Sequence, residues 1–208
     1  LETVVGRADL RIAAPGRTAQ VPLEILAQAR AWPETAVATG FLEAEFPLAI
    51  DAPALEQAPV PRGQQPSGPF RRTTRTLRVS PLVRAVVDED GWRTRPVQLI
   101  AGRLPAAPDE IAIDAFTASR LTVLAEDDLA LNGIGMVVVE PEQFALPPVP
   151  VPESVDSAAE AERINKRQGA RLGSQVQVRR LLGETLSLRV VGIAARPPLG
   201  GRPRAFMT

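Results

Sequence analysis

The 208 residues are 45% hydrophobic, enough for one domain of ordinary size or two small lobes sharing a core, which excludes a disordered chain. Twenty-four basic residues balance 24 acidic ones, so the long-range field that gathers phosphate backbones is absent and no nucleic-acid partner is expected. With no Cys and no His, thiol nucleophiles, Ser-His-Asp chemistry, imidazole bases, the usual zinc sites and His-ligated haem drop out together.

In chain order, Asp9 to Ala13 alternates polar and apolar residues and predicts a first strand, ended by Ala14-Pro15-Gly16. Pro22 suits a first helical position, and Leu23, Leu26, Ala27 and Arg30 share one face of a helix that Trp32-Pro33 ends. Residues 36–50 predict one or two strands. The segment 51–70 contains Pro53, Pro59, Pro61, Pro66 and Pro69 with Gly63 and Gly68, and predicts a loop or linker. Thr74 to Val87 returns to a strand pattern, with Asp88-Glu89-Asp90-Gly91 as a hairpin turn.

A short strand at Val97 to Ile100 leads to a Gly102-Arg103 corner, a strand at Glu110 to Ile113 and a helix over Ala115 to Arg120. A further strand is expected at Gly135 to Glu140. Pro147 to Val151 and Pro152 favour extended polyproline geometry on a surface excursion. Ser157-Ala158-Ala159-Glu160 is a capping box, predicting a helix to about Gln168 with Ala161 and Ile164 inward and Gly169 as its stop. Gln175 to Leu181 and Thr185 to Ala194 predict a hairpin. No stretch approaches the roughly 20 apolar residues of a membrane helix. The opening at Leu1, without Met or signal peptide, and the end at Phe206-Met207-Thr208, without a closing element, read as those of an excised domain.

No constellation carries chemistry. Val97 stands six residues beyond Gly91, where a calcium loop needs its Glu, so the acidic turn reads as a hairpin. The run Arg71 to Arg78 concentrates four arginines. Arg72, Thr74, Thr76 and Arg78 share one face of an extended chain and Arg75, Leu77 and Val79 the other, as in a half-buried strand with a polar outer face. The carboxylate pairs Asp109-Glu110, Glu160-Glu162 and Glu140-Glu142 are near neighbours without supporting pattern. Gly200-Gly201 opens no helix and reads as an exposed loop. No catalytic, cofactor-binding or metal-ligating residue is assigned, and the chain is not expected to be an enzyme.

Three segments in order carry a family resemblance. The first is Gly6-Arg7-Ala8-Asp9-Leu10-Arg11-Ile12 with Thr35-Ala36-Val37-Ala38. The second is Leu99-Ile100-Ala101-Gly102-Arg103-Leu104-Pro105, continuing to Asp109-Glu110-Ile111-Ala112-Ile113-Asp114 and Ala118. The third is Gly169-Ala170-Arg171-Leu172-Gly173-Ser174-Gln175-Val176, then Leu188-Arg189-Val190-Val191-Gly192-Ile193. Together they resemble the periplasmic core domain of MacB-type, FtsX-like ABC-transporter permeases. Ser174 departs from the family's usual Asp, and about 121–165 is longer than the family's connection.

The resemblance implies an α+β domain of two lobes. One is mixed α/β, about 1–101 with the Pro-rich linker at 51–70; the other is smaller and mostly β, from about 102 onward with the insertion at about 121–165. It implies an extracytoplasmic location at a bacterial cell membrane. The implied partners are the permease's own transmembrane helices, a cytoplasmic ABC ATPase, a second permease copy, and a periplasmic protein or lipid-linked substrate. On this reading ATP-driven motion in the membrane is coupled to substrate export, lipoprotein release or an outside partner. The motif residues Gly102, Arg103, Pro105, Asp109, Glu110, Ala118, Gly173, Val191, Gly192 and Ile193 are then fold markers. Gly102 and Gly173 suit corners, and Gly192 a bulge or close contact. The alternative is a free-standing secreted or surface binding module; an enzyme using only carboxylates, Ser, Lys and Arg is a third class.

Overall fold

The computed structural model describes residues 12, 21–65, 67–88, 90–94, 97–123, 141–179, 185–195 and 202–208. The strand expected at Asp9 to Ala13, apart from Ile12, the strand expected at Gly135 to Glu140, and the Gly200-Gly201 loop lie outside these residues. The fold is α+β, a mixed sheet with a few helices. The strands are β1 (Phe41–Glu45), β2 (Leu48–Glu56), β3 (Phe70–Val79), β4 (Leu82–Val86), β5 (Leu99–Gly102), β6 (Glu110–Asp114), β7 (Ser154–Val155), β8 (Gln175–Arg179), β9 (Thr185–Ala194) and β10 (Arg204–Met207). The helices are α1 (Leu23–Ala31), α2 (Asp90–Thr94), α3 (Ala115–Arg120) and α4 (Ala158–Asn165), with a 3-10 turn at Pro141–Phe144.

β1 with β4 and β2 with β3 form one continuous antiparallel ribbon, because Phe41↔Val86, Glu45↔Leu82, Leu48↔Val79 and Glu56↔Arg71 keep a single register. One edge of this ribbon pairs β4 with β10, and the other pairs β2 with β8. β10 pairs β6, β6 pairs β9 and β9 pairs β8. The hydrogen-bonded circuit therefore closes on itself as a small six-membered barrel, counting β1/β2 and β3/β4 as one strand each.

Alternation then sends one face of every member inward. Leu48, Ile50, Val83, Ala205, Ile111, Ile113, Leu188, Val190, Val176 and Val178 share one buried cluster, with Leu77 and Val79 packed against it. Residues from before and after position 101 thus build the same core. Ala118, Leu121, Phe144 and Ala170 join this cluster from outside the strands. Outside the barrel, Trp92 of α2 meets Phe206 of β10 edge to face with ring centroids 6.3 Å apart, beside Ala112 and Ala194.

Several elements differ from expectation. β2 continues six residues into the expected linker, to Glu56, and tolerates Pro53 because β8 pairs β2 only at Leu48 and Ala49. Two residues on, Leu55 N donates to Asn165 Oδ1 (2.8 Å) and Asn165 Nδ2 donates to Leu55 O (2.9 Å). A side chain of α4 thus replaces the missing strand, and Pro53, lacking an N–H on that same edge, leaves nothing unpaired. Asp88 to Gly91 is no hairpin turn: α2 starts at Asp90, and Asp88 accepts from Thr39 Oγ1 (2.7 Å) and pairs with Arg30. In α1 the half-buried face is Ile25, Leu26 and Ala29, not Leu23, Ala27 and Arg30, since Leu26 packs under Gly40. The chain end does carry an element, β10, seated between β4 and β6.

Elsewhere the local signals hold. β3 alternates as read, with Arg72, Thr74, Thr76 and Arg78 exposed and Arg75, Leu77 and Val79 half-buried. α3 spans Ala115–Arg120, and Ser157 Oγ caps α4 by accepting from Glu160 N (3.3 Å). β8 and β9 are antiparallel. The Pro-rich segment 147–152 is more than a surface excursion: Val149 and Val151 pack with Leu55, Ala161 and Ile164, strapping α4 to β2.

Candidate functional site

Inward Ile111 and Ile113 turn Glu110 to the outside of β6, yet its side chain is only 3% exposed. Arg189 lies opposite it on parallel β9 and donates through Nη2 to Oε1 (2.8 Å). Arg103, just past β5, folds back over the same carboxylate. Its Nη1 donates to Oε2 at 2.7 Å and its Nη2 to Oε1, a bidentate fork. Ala106 N adds a fourth donor at 3.0 Å. Pro105 is buried in the turn between them. Asp109 uses only its backbone here, its O accepting from Arg189 N (2.8 Å).

The glycines explain how the chains come so close. β9 carries one extra residue against β6 at Val191, a bulge that returns Ile193 to the core and leaves Gly192 facing out. Arg103 N donates to Val191 O at 2.9 Å, and a Cβ on Gly192 would stand 2.2 Å from Arg103 O. Gly102 adopts φ 74°, and its Cβ would stand 2.2 Å from Val191 O. Gly173 N donates to Val190 O (2.8 Å), and Ala118 is buried in the core. Motif residues of two distant segments thus converge on β9. They form a junction in which four donors meet the Glu110 carboxylate.

The Arg103 fork, then the Ala106 amide and Arg189, hold the Glu110 carboxyl at about 2, well below its ordinary 4.5. A carboxyl depressed in the folded state contributes stability that is full above about pH 4.5 and is lost as pH falls toward 2. Asp114 works the other way. Burial raises its carboxyl against hydrogen bonds from Thr117 and Arg204, so its contribution is present at low pH and lost as pH rises through the raised value. Thermal midpoints measured from pH 5 to 2 should fall steeply in the parent protein. Glu110→Gln should start lower at neutral pH and show a flatter fall; an identical slope would remove Glu110 as the acid-sensitive group.

Reading the sequence missed Arg189, Asp114 and Arg171. Asp114 had a signal: it precedes α3, where its Oδ1 accepts from Thr117 N (2.7 Å) while Oδ2 accepts from Arg204 N (3.0 Å), tying β10 in place. Arg171 had none. Its guanidinium is buried and meets only carbonyls: Nε donates to Arg167 O (2.8 Å), Nη2 to Lys166 O (2.6 Å) and Nη1 to Gln143 O. Burial, then the neighbouring Arg167 charge, lower it to about 10, where it still carries its proton at neutral pH. It closes the C-terminal end of α4, where a cation also meets the negative end of the helix dipole.

Among the described residues no group of three or more His, Cys, Asp or Glu is placed to hold a metal ion, and no helix is long and apolar enough to cross a membrane. Comparisons with family models, curated proteins and solved structures found no match to this chain.

Proposed function

We propose that this chain is the extracytoplasmic domain of a MacB/FtsX-like ABC-transporter permease, a non-enzymatic module that transmits motion between the membrane and a partner outside it. One observation supports the reading above others. Residues that carry the resemblance, 79 positions apart in the cases of Glu110 and Arg189, meet in a single junction. Such a junction joins β5, β6 and β9 through backbone contacts too close for a side chain, the construction expected of a part that must move as a unit.

On this reading the two lobes are about residues 1–101 and about 102–208, both contributing to the one barrel core. A cytoplasmic ATPase supplies the work, the permease pairs with a second copy, and the domain sits on the outer face of a bacterial membrane. A periplasmic protein or a lipid-linked substrate is its outside contact.

Reading the coding region on both sides of this chain tests the proposal directly. Apolar segments of about 20 residues before Leu1 and after Thr208 are expected. Expression of the whole protein should then place it in the membrane fraction and bring an ATPase through purification. A secretion signal upstream with only polar, globular sequence downstream would overturn the proposal in favour of a free-standing binding module.

A further inference from the structure

The Pro-rich strap and α4 enclose an open groove of about 510 Å³. Val149, Pro150, Pro152 and Ile164 give it apolar walls, and Arg163, Lys166 and Arg167 give it a basic rim. Its size lies in the range of small-molecule sites, which run to roughly 300–1,000 Å³ with apolar walls and a few polar groups.

Lys166 is paired with Glu162 at 2.6 Å, and Glu160 also lines the groove. The usual reason for cations in a last helical turn is to satisfy its carbonyls, but Arg171 already does so for Lys166 and Arg167. Arg163 has no hydrogen-bond or ion-pair partner among the described residues. Arg167 donates one Nη2 bond to Pro147 O (2.8 Å), while its Nε is buried with no acceptor. A buried guanidinium N–H without a partner is an unmet demand for an oxygen. Beneath it lies Arg171, a second cation with only carbonyl partners.

We propose that this groove binds an apolar monocarboxylate of the fatty-acid type, its headgroup between Arg163 and Arg167 and its chain along Val149, Pro150, Pro152 and Ile164. A planar carboxylate suits the guanidinium of Arg163, which has no partner among the described residues. The inference does not rest on the permease reading, because it concerns a segment that departs from the family.

Titration calorimetry with decanoate tests it, with decanol and decyltrimethylammonium as controls of equal chain length. Saturable decanoate binding below about 1 mM is expected, with both controls at least tenfold weaker. Arg163→Glu, at an exposed position that leaves the fold intact by circular dichroism, should weaken decanoate about tenfold or more. Glu160→Gln should strengthen it. Equal binding of all three ligands would show a merely apolar surface and overturn the proposal, as would unchanged affinity in Arg163→Glu or no saturable binding.

Discussion

Gly192→Ala is expected to be among the most damaging single changes in this protein, costing about 3 kcal/mol or more and leaving much of the chain insoluble. The new Cβ would stand 2.2 Å from the carbonyl oxygen of Arg103 and 3.2 Å from Ala112 Cβ. Neither neighbour can move away cheaply. Arg103 O belongs to a backbone anchored by Arg103 N to Val191 O, and by its own side chain to Glu110. Relief would have to separate β5 from β9, exposing the carboxylate that Arg103 covers. Gly173→Ala is the control: its φ of 85° also disfavours Ala, but nothing lies within 4 Å of its Cβ position. A left-handed non-glycine residue costs roughly 1–2 kcal/mol. Urea denaturation of the two variants separates crowding from backbone strain; equal losses would mean that the close contact at Gly192 is not tight in solution.

Arg171→Ala should also be severe, with a loss of about 3 kcal/mol or more, since charged hydrogen bonds contribute roughly 1.5–3 kcal/mol each and their buried carbonyls would be orphaned. For a domain of this length such a loss lowers the thermal midpoint by about 10 °C. Three carbonyls from two places, the 3-10 turn and the end of α4, meet on one planar guanidinium above the Phe144 ring, 6.0 Å from its centroid. A lysine ammonium has no fork to span them, so Arg171→Lys should recover little. Recovery of most of the lost stability by lysine would show that a charge at the helix end is all that matters. Hydrogen exchange should locate the damage in α4 and the strap while the β6–β9 junction stays protected.

Both residues show why the sequence was legible in some places and not in others. Short-range signals act through neighbours a few positions away. The Ser157–Glu160 cap, the alternation of Arg72, Thr74, Thr76 and Arg78, and the β8–β9 hairpin could therefore be read and are present. Pro53 misled for the same reason. Proline signals a break only where its missing N–H is needed, and on β2 that edge belongs to Asn165, 110 positions from Leu55. β10 went unread because four residues, Arg-Ala-Phe-Met, carry almost no pattern of their own. Its strand geometry comes from β4 and β6 on either side, and from Asp114 accepting from Arg204 N.

Composition alone determined what this protein lacks: without His or Cys, whole classes of chemistry were closed before any fold was considered. Order and spacing of the Gly-Arg, Asp-Glu and Val-Val-Gly-Ile segments carried only a family resemblance. Only the tertiary structure decided that β1/β2 and β3/β4 are one ribbon whose opposite edges are joined through β10, β6, β9 and β8. Only it placed a lone buried arginine over the end of α4 and an unsatisfied one beside a groove. The physical reason is that pairing across the circuit and burial of charge depend on residues tens of positions apart. Their mutual geometry has no local periodicity from which to be read.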